Sequence, residues 1–127
     1  MPGVPGASKR IEERVLAWPG VEAHPHRFGG VEYRLGDREV GHINGDHMLD
    51  IAFPKWVREE LVSAGLAKPH HLLPQSGWVS FYLREEEDVE QAVILLARSY
   101  ELAREQQARK SGQYALPATG TDPDPAS

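Results

Sequence analysis

The chain has 127 residues, 40% hydrophobic and 26% charged, with no cysteine and a formal net charge of −5. That length is enough for one domain with its own core, and the lack of cysteine excludes disulfide frameworks, thiolate zinc sites, iron–sulfur clusters and cysteine nucleophiles. The bases are scattered in pairs such as Lys9-Arg10 and Arg109-Lys110, so the acidic balance argues against nucleic acid as a partner.

The Pro- and Gly-rich segment 1–7 and the tail 111–127, with little apolar content beyond Tyr114, Ala115 and Leu116, read as disordered ends. A single domain over 8–110 remains. The opening MPGVPGASKR lacks the basic-then-apolar plan of a signal peptide, and no apolar run reaches the roughly 18 residues of a membrane span, so a cytoplasmic location without a membrane partner is expected.

Ser8 is a suitable N-cap for a helix through KRIEERVLAW, where Ile11, Val15 and Trp18 share a face and Pro19-Gly20 ends it. A possible strand around 21–26 is broken by Pro25, which restricts it to an edge or to irregular structure. In VEYRL, Val31, Tyr33 and Leu35 alternate with Glu32 and Arg34, and REVGHI follows across Gly36-Asp37. Asn44-Gly45 then signals a two-residue hairpin into HMLDIAF, since both residue types tolerate positive φ.

Pro54 opens a helix carrying Trp56, Val57 and Leu61 that Gly65 stops. LAKPHHLLPQSG reads as a loop. WVSFYLR alternates Val79, Phe81 and Leu83 against Trp78, Ser80 and Tyr82, and from about Glu86 a long helix aligns Val89, Ala92 or Val93, Leu96, Tyr100 and Ala103 behind an acidic first turn. Helix, three strands, helix, one or two strands, helix makes an α+β two-layer sandwich, an antiparallel sheet with helices on one face.

With a two-residue turn at Asn44-Gly45, His42 faces His47, Val40 faces Leu49 and Glu39 faces Asp50. Both histidines then fall at the end of the helix-covered layer, in a row with Val31. Paired imidazoles could share a metal, or one could serve as a base near neutral pH; the plainer reading is one structural histidine and one solvated at the turn. The other face gathers Arg34, Glu39 and Asp50 with Trp78, Ser80 and Tyr82. Its paired carboxylates could split their pKa values or bind a cation, or else form a surface ion-pair network neutralised by Arg34, and its aromatic surface suits a ligand platform or a homodimer contact.

His24-Pro25-His26 has ligand-like spacing, but only Asp46, Asp50 or Glu39 could complete such a site, and no metal is expected. Ser76 lacks the flanking glycines of a nucleophile elbow, and neither a phosphate loop nor a dinucleotide fingerprint occurs.

The GHI strand, the Gly45-Asp46 turn, Leu49-Asp50, Phe53-Pro54, the Gly65 stop, Pro69-His70-His71, Pro74 and Ser76-Gly77-Trp78 together resemble the luciferase-like domain family of bacterial proteins. The luciferases of luminous fungi are similar to that family, which in turn resembles the MmcQ/YjbR-like fold. Members often carry a second histidine where this chain has Asn44. The resemblance implies a small-molecule site where the hairpin meets the Pro69–Trp78 loop, and, by analogy with the fungal enzymes, an oxidation by dioxygen of a hydroxylated pyrone without metal or flavin.

On this reading His42, His47 and Asp46 are the candidate catalytic residues. Asp50, Glu39, His70, His71, Ser76, Trp78 and Tyr82 are candidate ligand contacts. The alternative is a non-enzymatic binding or dimerisation module.

Overall fold

In a computed structural model, which describes residues 3–26 and 29–111, the chain forms an antiparallel sheet backed by helices. The elements in order are α1 (Ala7–Val15), β1 (Val21–Pro25), β2 (Val31–Leu35), β3 (Arg38–Asn44), β4 (Met48–Ile51), α2 (Lys55–Ser63), β5 (Lys68–Pro69), β6 (Val79–Tyr82) and α3 (Glu87–Ser111). The sheet runs β1-β2-β3-β4-β6-β5. The α+β class and the helix–strands–helix–strands–helix order agree with the sequence patterning. One edge of the sheet is β1, the strand expected there, which ends at its proline, and the other is β5, a two-residue strand inside the segment read as a loop.

The core lies between the sheet and the helices. Tyr33, Val40, Ile43, Leu49, Ile51, Val79, Phe81 and Leu83 are buried with Ile11 and Val15 of α1, Val57 and Leu61 of α2, and Val93, Leu96 and Tyr100 of α3. Among the described residues no helix is long and apolar enough to cross a membrane.

Three expectations are corrected. The segment before residue 8 is not a loose end as far as it is described: Val4 is buried and its N–H donates to the Asp46 carbonyl at 3.0 Å. The tail 112–127 lies outside the described residues.

Second, Ser8 does not cap α1, which begins one residue earlier at Ala7. Its first-turn amides are capped from a distance by the Asp46 carboxylate, whose Oδ1 accepts from Ser8 N at 2.7 Å and whose Oδ2 accepts from Gly6 N at 3.1 Å. A carboxylate at a helix N-terminus also meets the positive end of its dipole.

Third, the β3–β4 turn holds three residues, not two. A type I′ turn needs positive φ at both central residues, and in this turn only Gly45 has it, at +58°. Asn44 pairs with Met48, and Gly45, Asp46 and His47 form the loop that carries Asp46 to α1. Pairing thus becomes His42 with Asp50 and Ile43 with Leu49.

Candidate functional site

An odd slip in register moves side chains to the other face of a strand. His42 therefore lies on the open face, opposite the helices, and has no cross-strand contact with His47. A bulge in β3 completes the change. Tyr33 pairs with Gly41 while Arg34 pairs with Glu39, so Val40 is an extra residue. Val40 turns into the core, and Glu39 and His42, three apart, share the open face.

The bulge is braced from α3: Ser99 Oγ lies 2.9 Å from the Val40 carbonyl oxygen and 2.8 Å from that of Ala52. Beside it a Cβ on Gly41 would meet Leu96 Cδ2 at 2.9 Å and the Asp50 carbonyl oxygen at 3.0 Å, so glycine suits the close approach of α3 and β4 there.

The open face is the floor of a cavity of about 880 Å³. Its polar centre is Asp50, 2% exposed. Oδ1 accepts from Ser80 Oγ at 2.7 Å, and Oδ2 lies 3.1 Å from His42 Nε2 and 3.2 Å from His71 Nε2. His42 in turn places Nδ1 2.7 Å from Glu39 Oε2. His26 stacks on the His42 ring with centroids 3.9 Å apart, and the Trp78 ring is tilted against His42 with centroids 5.7 Å apart. Pro25, Met48, Leu72 and Leu73 supply apolar lining.

Charge within this group follows from its partners. Burial acts against a charged His42, but hydrogen bonds to Asp50 and Glu39 outweigh it and raise the imidazole to about 9. Burial likewise disfavours ionised Asp50, yet bonds from His42, Ser80 and His71 hold its carboxyl down at about 2. His42 is thus held as an imidazolium between two carboxylates, which displaces Arg34 from its expected neutralising role. Arg34 pairs with Glu32 at 2.6 Å instead.

His70 behaves oppositely. Burial first of all lowers it, and its Nδ1 accepts from the backbone N–H groups of Leu72 and Leu73, both at 3.0 Å. It is a neutral ring that shapes the 70–73 turn. His71 differs again: Asp50 holds its Nε2, leaving Nδ1 as the acceptor nitrogen of a cavity-lining imidazole.

Of the residues singled out from sequence, Glu39, His42, His47, Asp50, His70, His71 and Trp78 line the cavity. His47 is exposed at the turn. Asp46 serves as the cap of α1 rather than a cavity group. Ser76 pins its loop, donating to Leu73 O at 2.7 Å and accepting from Trp78 N at 3.1 Å. Tyr82 stands aside, with the Arg84 guanidinium 5.3 Å from its ring centre.

The cavity also includes His26, which His24-Pro25-His26 hints at only by its spacing. His24 of the same motif is exposed and bonded to Glu22 at 3.0 Å. Two sets of potential metal donors exist among the described residues, His26/Glu39/His42 and Asp50/His70/His71, each with ligand atoms within 4.8 Å of one another.

Residues 37–99 match the family model described as the luciferase domain. That stretch, about half of the chain, is similar to the luciferase domain family. No curated protein and no solved structure matches the chain. The luciferase domain match spans β3, β4, α2, β5, β6 and the first half of α3, and so contains Glu39, His42, Asp50, His70, His71 and Trp78. His26, Glu32 and Arg34, which line the other wall of the cavity, lie N-terminal to the matched stretch.

Proposed function

We propose that the cavity binds a small organic molecule and that the Asp50–His71 pair acts on it as a base, in an oxidation by dioxygen. The observation that carries this reading is the buried Asp50 carboxylate aligned on His71 Nε2 at 3.2 Å beside a cavity of about 880 Å³. A carboxylate that accepts one imidazole N–H fixes the tautomer and leaves the other nitrogen to take a proton. The apolar and aromatic walls suit an uncharged ring, and the similarity of 37–99 to the luciferase domain supports the oxidation.

His71 Nδ1 removes a proton from an enol or phenol, and the resulting carbanion forms a C–O bond to dioxygen. The carbon's electron pair reduces dioxygen to the peroxide level, and the peroxide anion recovers the proton from His71. The base is then His71, not His42, whose two nitrogens are both occupied by carboxylates.

An oxygen electrode with a panel of hydroxylated pyrones and phenols tests this. Uptake is expected with at least one compound and a loss of roughly 100-fold in His71→Gln, the usual scale for a general base. Wild-type rates in that variant, with the same compound bound, would place the chemistry elsewhere.

A further inference from the structure

We infer that His26, Glu39 and His42 form a binding site for one divalent first-row transition ion, with Asp50 orienting His42 from behind. Two imidazoles and one carboxylate are a donor set suited to zinc, iron or nickel rather than to calcium or magnesium. The set is brought together by tertiary structure: His26 follows the edge strand β1, whereas Glu39 and His42 share a face only through the β3 bulge. The inference shares Asp50 with the acid–base reading but does not need His71, so metal binding that survives in His71→Gln separates the two.

Hydrogen-bonding capacity decides between the two donor sets. A neutral imidazole has one N–H and one lone pair. His70 spends its Nδ1 lone pair on the amides of Leu72 and Leu73, so its proton resides on Nε2 and neither nitrogen is offered to a metal. The set Asp50/His70/His71 therefore lacks a donor. His42 offers Nδ1 once an ion replaces the proton that it shares there with Glu39 at 2.7 Å, while Nε2–H goes on donating to Asp50 at 3.1 Å.

Metal-bound histidines characteristically donate their second N–H to a carboxylate, and Asp50 is itself held by Ser80 Oγ at 2.7 Å. With metal–donor bonds of about 2.0–2.2 Å, the three donors, now within 4.8 Å of one another, would draw in around the ion. Water or a ligand oxygen would fill the remaining positions from the cavity.

The test titrates the full-length, tag-free, chelator-stripped protein with Zn²⁺ by calorimetry and with Co²⁺ by visible absorption, a readout independent of any reaction. One ion per chain and a Co²⁺ ligand-field spectrum are expected. His26→Ala and Glu39→Gln should abolish the spectrum, and Asp50→Asn should weaken binding by about 10–100-fold. His24→Ala, on the exposed side of the same motif, should change nothing.

Glu39→Gln keeps the shape of a side chain at the cavity wall, so its effect is readable even where His42→Ala fails to fold. Absence of stoichiometric binding overturns the inference. So does equal weakening by His24→Ala and His26→Ala, which would mean surface histidines only. Loss with His70→Ala but not with Glu39→Gln would move the ion to the rejected set and overturn it too.

Discussion

On the helix-covered face of the sheet, Tyr33, Leu35, Leu49, Val79 and Leu83 are buried, each at a position that strand alternation picks out. On the opposite face Glu39, His42, Asp50 and His71 meet through a bulge, a three-residue turn and a loop. The contrast is between two kinds of interaction. Apolar burial has no direction and asks only that parity be right. A hydrogen-bonded charge network asks for a particular partner at a particular distance, so an error of one residue in register destroys it.

The comparison is most exposed to failure at Phe81. It pairs with Leu49 and is 8% exposed on the core side of β6. Phe81→Ala should cost roughly 3–5 kcal/mol in denaturant unfolding. A change under about 1 kcal/mol would mean that the helix-covered face is not the stabilising one.

Next in size is the pH dependence of the open face. His42 is raised in the folded protein from 6.5 to about 9, so it binds a proton more tightly folded than unfolded. Its contribution is fully present below pH 6.5 and is lost as pH rises through about 9. On the linkage relation this amounts to roughly 3 kcal/mol. Unfolding of wild type and His42→Gln with chelator present should show a stability gap at pH 6 that closes by pH 10. A gap independent of pH would mean the ring acts by packing alone.

A smaller effect joins the two regions. Asp46 holds the N-terminus of α1 from the turn that sets the β3–β4 register. Asp46→Ala should cost about 1–2 kcal/mol, the scale of a lost N-cap. If Asp46 acts in catalysis instead, stability will hold while oxygen uptake falls. The smallest effect belongs to His47, exposed at the same turn. His47→Gln should shift stability by under about 0.5 kcal/mol, and a larger loss would revive a paired role with His42.

Much of the fold was legible because it rests on periodicity. The helix over 55–63, the parity of Val79, Phe81 and Leu83, and the long C-terminal helix all follow from where apolar residues recur. Individual site residues were also legible: Glu39, His42, Asp50, His70, His71 and Trp78 are all at the cavity. Their relations were not. Asn44-Gly45 carries the local signal of a two-residue turn, and the demand that overrode it came from the α1 amides about 40 residues away in sequence. His26 offered only a spacing, with nothing local to tell it from His24.

The sequence by itself determined the class of the fold, which side of most strands is buried, and the polar residue types available to the open face. Only the tertiary structure decided which polar groups are partners. It set His42 against Asp50 rather than His47, gave Asp46 to a helix terminus, and brought His26 onto His42. The physical reason is that apolar burial depends on each residue's own character and parity. A carboxylate's role depends on which donor stands within about 3 Å of it, and that is settled by the bulge, the turn length and the loop together.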